Sequence, residues 1–320
     1  MNILKCNEMK IRFLYVYIGL FILTLTACSD DDGDLSPSLG DQNWWEIKDN
    51  PDSELDHLIY EVYKESGISI FYNDTIGREV RTDDFGNKYN YYKIIDIDYN
   101  IENRSTRADY ELADQDEQKM EGVRFLRDHV IPRLIPGMRP RCFLMVGYLR
   151  LNPNNASEDC IREGSVYHAM EATVVGRLRT LADLSEQERD RVAAEILAAG
   201  IANYIYNHES AELEMFYNMS TVIEKDNVVS MYDKYVDLWY SDELVPEYYG
   251  FLSSSWYFAE EDDMYKTPLY LQDITQYVTE VMLGDDEAFM QKYASYEVVR
   301  KKYQIMQKIV LGLQSRSGTE

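Results

Sequence analysis

The stretch "LSEQERDRVAAEILAAGIANYIYN", residues 184 to 207, constrains the fold more than any other part of the chain. Ser185 followed three residues later by Glu188 is a capping box, in which each side chain satisfies a backbone N–H of the other at a helix start. The pattern predicts a helix from 185 to 207. Ile196, Ala199, Gly200, Asn203 and Ile205 run along its packed portion, and Ala193, Ala194, Ala198, Ala199, Gly200 and Ala202 let neighbouring elements approach closely. Gly200 in a helix interior costs about 1 kcal/mol relative to Ala. Close packing or a retained cavity is therefore expected beside it.

The remaining elements follow from period and punctuation. Leu55, Leu58, Ile59 and Val62 recur at helical spacing over residues 53 to 66, with Ser53 as N-cap and Gly67 as the stop. "ISIFY", 68 to 72, reads as a strand, and residues 89 to 101 alternate as a strand or hairpin arm. Residues 115 to 135 begin as an amphipathic helix that Pro132 ends or kinks. "PRCFLMVGYLRL", 140 to 151, reads as one buried strand, and 165 to 178 contains another. From 210 to 312 the pattern is mostly helical, interrupted by a loop from 245 to 268. Helix and strands first, then many helices, predicts an α+β fold. It is expected to be one domain over 51–315, with a 51–207 half that carries a small sheet and a helical 208–315 half. The chain has 320 residues, 45% of them hydrophobic, which suffices for a sizeable core.

Residues 1 to 28 read as a leader, not as fold. Lys5, Lys10 and Arg12 precede the apolar run "FLYVYIGLFILTLT", which ends in Leu25-Thr26-Ala27-Cys28. Translation beginning at Met9 would still produce a complete leader. A small residue before a Cys directly after the apolar run resembles a bacterial lipoprotein signal, in which Cys28 becomes the acylated first residue. The acidic run "SDDDGD" after Cys28 resembles the tag that sends Bacteroidetes lipoproteins to the outer face of the outer membrane. Residues 29 to 50 then form an acidic, flexible tether. Acyl chains, each CH₂ contributing roughly 0.8 kcal/mol when buried, would hold the chain on the membrane.

The whole chain carries a formal charge of −25, and from Cys28 onward 29 basic residues face 56 acidic ones. That excess excludes nucleic acid, whose phosphates require Lys and Arg, as a partner. Besides the anchor, Cys142 and Cys160 are either a disulfide contributing about 3 kcal/mol or two buried thiols. No phosphate-binding glycine loop or nucleophile elbow is present. The acidic segment "AEEDD", 259 to 263, lacks the alternating spacing of a calcium loop. Tyr248, Tyr249, Phe251, Trp256, Tyr257 and Phe258 crowd one loop, as core packing or as a platform for a sugar or a partner protein. Trp44 and Trp45 mark where order begins.

His208-Glu209-Ser210-Ala211-Glu212 has the first two letters of a zinc-protease motif, with Glu212 where the second His belongs. His208 and Glu212 could both touch a metal, but no third ligand has a supporting pattern. A solvated helix start is the plainer reading.

A set of ordered segments resembles the Bacteroidetes zinc-binding metallopeptidase lipoproteins, the substrate import-associated zinc metallohydrolases. It comprises Leu55-Asp56-His57-Leu58-Ile59-Tyr60-Glu61, "GISIFY", Glu163-Gly164, Gly250-Phe251-Leu252-Ser253, Gln272-Asp273-Ile274-Thr275-Gln276 and a final long helix with spaced lysines. The resemblance implies a zincin-like fold of the gluzincin type. It places the family's His-Glu-x-x-His on Ala199-Gly200-Ile201-Ala202-Asn203, and puts Gln272 and Gln276 where two Glu belong. Ala and Gly donate nothing, and neutral amides are poor zinc ligands. Without zinc the attacking water keeps a pKa near 15.7 rather than about 7. The resemblance therefore implies an inactive member with no cofactor. Such a member would be an accessory of an outer-membrane nutrient-import system, facing outward. Its partners would be a transporter, that transporter's binding lipoprotein, and a glycan or peptide bound beside helix 185–207. A zinc hydrolase using His208, Glu209 and Glu212, or a purely structural lipoprotein, are the alternatives.

Overall fold

A computed structural model describes residues 42–83, 85–97, 106–153, 162–237, 245–255 and 264–317. The leader, Cys28 and the tether to residue 41 lie outside these residues, as do Cys160, Trp256, Tyr257, Phe258 and the acidic segment 259–263. The chain divides into Met1–Asn43 and Trp44–Glu320, and every described element belongs to the second unit. The fold is mixed α+β, as expected.

Helix α1 (Glu54–Ser66) starts where Ser53 Oγ accepts from the Asp56 N–H, at 3.2 Å, and stops at Gly67, whose φ of 74° is left-handed. It leads into β1 (Ser69–Phe71), which pairs in parallel with β5 (Cys142–Met145). β5 pairs in parallel with β9 (Thr173–Val175), and β9 pairs antiparallel with β8 (Val166–His168), giving the order β1-β5-β9-β8. Both faces of this sheet are covered, which is why β5 reads as an unbroken apolar run. Phe143 and Met145 face one core with Ile70 and Val175, while Cys142 and Leu144 face a second core with Val174 and Tyr167.

The single strand expected over 140–151 is two. Gly147 separates β5 from β6 (Tyr148–Pro153), which belongs to a different sheet with β4 (Thr106–Glu111) and β7 (Arg162–Glu163). A Cβ at Gly147 would meet the Leu112 carbonyl at 3.0 Å, so the chain changes sheets where only glycine fits. β2 (Thr75–Thr82) and β3 (Lys88–Ile94) form an exposed ribbon.

α2 (Asp116–Phe125) ends as Pro132 predicts. The helix widens into a π turn over Leu126–Val130, the Ile131 N–H bonding back to the Leu126 carbonyl, and then tightens into a 3₁₀ turn over Ile131–Arg133. Proline removes its own N–H and crowds the carbonyl four residues earlier, and widening relieves both.

α3 (Glu186–His208) has the expected box, with the Ser185 N–H on Glu188 Oε2 at 2.8 Å. It is buried nearly all round, through Val192, Ala193, Ala194, Ile196, Leu197, Ala198, Ile201, Ala202 and Ile205, as a central helix must be. Below it lie α4 (Ser210–Asn218), α5 (Tyr270–Leu283), α6 (Asp286–Lys292) and α7 (Glu297–Ser317). The C-terminal half is less purely helical than expected. β10 (Thr221–Glu224) pairs with β11 (Asn227–Ser230), and β12 (Tyr235–Asp237) pairs with β13 (Met264–Lys266). The first hairpin turns on Lys225 and Asp226, both at positive φ (47° and 69°), a conformation that suits the strand twist but that neither residue type signals strongly.

Candidate functional site

A cavity of about 730 Å³ opens between α3, α5 and the edge strand β8. Ala199 and Asn203, four residues apart on one face of α3, line it, and so do Gln272 and Gln276, four apart on α5. Four of the five positions that the family resemblance marks are thus gathered around one space. Gly200 is not among them. It faces a separate void of about 20 Å³, where a Cβ would come no closer than 3.9 Å to the Met138 carbonyl and 4.0 Å to His168. Of the two expectations for Gly200, the retained cavity holds.

Each amide around the large cavity has one end tied and one end buried without a partner among the described residues. Asn203 Nδ2 donates to the Ala199 carbonyl at 3.0 Å. Gln272 Oε1 accepts from the Leu269 N–H at 3.1 Å, capping α5, and from Ser255 Oγ at 3.3 Å. Gln276 Nε2 donates to Ser253 Oγ at 2.8 Å. Asn203 Oδ1, Gln272 Nε2 and Gln276 Oε1 are buried and have no hydrogen-bond partner among the described residues. For Asn203 and Gln272 the backbone partner settles which amide atom is which, because a carbonyl only accepts and an N–H only donates.

Zinc, which the resemblance would bring, does not fit this donor set. Ala199 and Gly200 have no donor atom, Gln272 Oε1 is committed to the Leu269 N–H, and the Asn203 and Gln276 oxygens are neutral amide oxygens, which are poor zinc ligands. His168 lines the cavity from β8, but its Nδ1 lies 2.9 Å from Thr173 Oγ1, and burial depresses its pKa below the usual 6.5. Arg191 also lines it and pairs with Glu280 at 3.0 Å and with Glu195 at 3.9 Å. Arg177, a further lining residue, has a left-handed backbone (φ 66°), uncommon outside glycine and frequent at ligand sites. Tyr206 and Tyr270 line the cavity while remaining 46% and 39% exposed, which places them at its rim.

The His208 group is a helix start, as expected, with α4 beginning at Ser210 and with His208 and Glu212 exposed, but Glu209 between them is buried. His208 closes α3, its Nδ1 2.9 Å from the Tyr204 carbonyl and its ring stacked on Tyr204 at 4.3 Å. Glu209 is buried and holds Arg316 of α7 through both oxygens, at 2.8 and 3.3 Å. Glu212 is exposed. Among the described residues one trio, His129, Glu186 and Asp190, gathers atoms that could hold a metal, and neither His208 nor Glu212 is part of it.

The aromatic loop is also redistributed. Tyr248 is exposed and Tyr249 half-buried, their rings 5.1 Å apart, but Phe251 is fully buried and packs edge-on against Tyr232 at 5.1 Å. Phe251 is core rather than platform, because Gly250 before it turns the chain inward at φ 81°. Cys142 is a buried thiol, and its expected partner Cys160 lies outside the described residues. The Cys142 Sγ donates to the Glu171 carbonyl at 3.5 Å, and burial pushes its pKa up to about 12.

One charged cluster escaped the sequence reading. Lys302 of α7 and Asp273 of α5 are both wholly buried, Nζ to Oδ2 2.5 Å, with Nζ also 2.8 Å from Ser220 Oγ and 3.2 Å from Tyr232 OH. Phe216, Tyr232, Phe251 and Tyr277 surround Nζ at 4.3 to 5.3 Å from their ring centres. Burial dominates both titrations: it lowers Lys302 to about 8 and raises Asp273, each partner opposing the shift of the other. No line of the sequence pairs residues 273 and 302, since only the packing of α5 on α7 brings them together.

No family model matches the chain, and neither the curated proteins nor the solved structures contain a match to it.

Proposed function

We propose that this chain is a lipid-anchored binding protein, built on a zincin-like scaffold that has kept its cleft and lost its metal site. The observation that carries the reading is the convergence of Ala199, Asn203, Gln272 and Gln276 on one open cavity. The edge strand β8 lies beside the central helix α3, and α5 lines the cavity with them. At the four marked positions, where a hydrolase needs nitrogen and carboxylate donors, this cleft offers a methyl group and three amides. Amides bind neutral polar ligands well and activate water poorly. The leader and Cys28 support attachment to the outer membrane, where such a protein would serve a nutrient-import system as an accessory.

Two measurements test this reading. Metal analysis of the purified mature chain, after exposure to equimolar zinc and dialysis, should find far less than one zinc per chain. Replacing Cys28 with Ser should abolish incorporation of labelled fatty acid and move the protein out of the membrane fraction. Stoichiometric zinc, together with peptide cleavage that a chelator blocks, would establish the hydrolase instead.

A further inference from the structure

We propose that the cavity between α3 and α5 takes an acidic saccharide, its carboxylates or sulfates held by Arg177 and Lys292 and a sugar ring resting on Tyr206 and Tyr270. The proposal rests on the binding-protein reading and names its ligand class.

The chain as a whole has 57 acidic residues against 32 basic ones, yet four cations, Arg162, Arg177, Arg191 and Lys292, line this cavity against three carboxylates. Each of those carboxylates already faces a cation of the protein. Glu280 and Glu195 hold Arg191, at 3.0 and 3.9 Å, and Glu163 on β7 stands directly opposite Arg150 on β6. Arg177 and Lys292 are different: neither has a carboxylate within ion-pair distance among the described residues. Arg177 is half-buried, and its Nε is shut off from solvent with no hydrogen-bond partner among those residues. Its charge is felt by Glu188, but that carboxylate is bonded to Ser185. A guanidinium drawn out of water calls for an anion beside it, and a ligand oxyanion matches its fork. The partnerless amide atoms of Asn203, Gln272 and Gln276 each expose less than 1 Å², so holding the ligand falls to the charged and aromatic residues of the wall.

Cationic and aromatic residues lie at opposite ends of the space. Arg191 and Tyr206 both line it from α3 and are fifteen residues apart, about 22 Å of helix. Arg177 belongs to the Arg191 end, since its charge reaches Glu188 in the first turn of α3. On α5, Glu280 meets Arg191 at that end, and Tyr270 lies ten residues away toward the other. Tyr270 is backed by Tyr232, ring centres 4.2 Å apart, and remains 39% exposed; Tyr206 is 46% exposed. The C–H face of a sugar ring packs on such a rim while the phenols stay wet. An acidic oligosaccharide brings both requirements along its length, oxyanions for one end and a flat ring for the other. About 730 Å³ lies within the range of small-molecule sites, roughly 300 to 1,000 Å³.

The test is titration calorimetry with the mature chain. The probes are galacturonic acid, oligogalacturonates of three to six units, sulfated galactose oligosaccharides, neutral galactose oligosaccharides of the same lengths, and tri- to hexapeptides rich in Asp and Glu. At least one acidic saccharide series should bind, and more tightly than the neutral one; which acidic series binds tells carboxylate from sulfate. Arg177→Gln should weaken it about tenfold or more, the loss expected when a hydrogen bond to a charged group is removed. Arg177→Lys should restore only part of that loss, because an ammonium lacks the guanidinium fork. Lys292→Gln, at an exposed position, should also weaken binding and carries the test if circular dichroism shows that Arg177→Gln does not fold. Tyr206→Ala should weaken the oligomers and spare galacturonic acid, since one unit does not reach both ends. Lys301→Gln removes an exposed cation outside the cavity and should change nothing. Acidic saccharides that bind all the cavity variants alike, or neutral ones that bind as tightly as acidic ones, overturn the assignment. An acidic peptide that binds through Arg177 where no saccharide does overturns the saccharide while leaving the binding-protein reading intact. Zinc-dependent cleavage of a peptide overturns both. Binding of no probe overturns the proposal and leaves the parent reading to the zinc and membrane measurements.

Discussion

Lys302 and Asp273 put two charges where no water reaches them, and the pair is held by geometry rather than by screening. Removing one partner strands the other. Lys302→Met should destabilise the fold by about 3–5 kcal/mol, whereas the double variant with Asp273→Leu should recover much of that loss. Urea midpoints of the two single variants and the double variant measure it. The pH dependence has a definite sign. The folded Lys302 loses its proton near pH 8, while in the unfolded chain the lysine keeps it to about 10.5. Between those values the unfolded state binds more protons, so the contribution of this group to stability rises with pH. Raised Asp273 works in the other direction, at lower pH: the folded state binds the extra proton, and its contribution falls as pH climbs through the elevated pKa. Comparing wild type with Lys302→Met between pH 7.5 and 10 should show the upward trend only in wild type. The chemistry of Cys142 and His208 was legible as a short list of alternatives. Which alternative holds depends on neighbours distant in the chain, such as Glu171 beside Cys142 and Arg316 beside Glu209.

Glycines in and around the helices divide by what surrounds them. Gly200 lies in the interior of α3, where a Cβ would make only ordinary van der Waals contacts, 3.9 Å to the Met138 carbonyl and 4.0 Å to His168. Gly200→Ala should therefore stabilise the protein by about 0.5–1 kcal/mol. Gly250 is the opposite case: φ is 81°, and a Cβ would sit 2.5 Å from Val298 Cγ1. Gly250→Ala should cost roughly 1–3 kcal/mol. Denaturant unfolding of the two variants, expected to move in opposite directions, checks both. Capping signals read well because they are local: Ser53, Gly67 and the Ser185–Glu188 box all act within four residues of themselves. The β10–β11 hairpin was missed because its turn residues, Lys225 and Asp226, lack the asparagine or glycine that announces positive φ. The division of 140–151 at Gly147 was missed for another reason. Its cause is the close approach of the Leu112 backbone, 35 residues earlier.

Every described element lies beyond Asn43, and the core is continuous from Leu55 on α1 to Leu313 on α7. A chain begun at Gln42 should therefore unfold at the same urea midpoint as one begun at Ser29, and a difference above about 0.5 kcal/mol, the scatter of neutral surface changes, would show that the tether contributes to the fold. Among the described residues no helix is long and apolar enough to cross a membrane. The α+β class, the central helix and the poverty of metal donors at positions 199, 200, 203, 272 and 276 could all be read without coordinates, because period, caps and side-chain chemistry are properties of neighbours in the chain. What required coordinates was the meeting of α3 with α5. Only their packing decides that Asn203, Gln272 and Gln276 share one cavity, that Gly200 turns away from it, and that Lys302 finds Asp273. Such contacts join residues 29 to 73 positions apart, and nothing in the local pattern of either partner encodes the other.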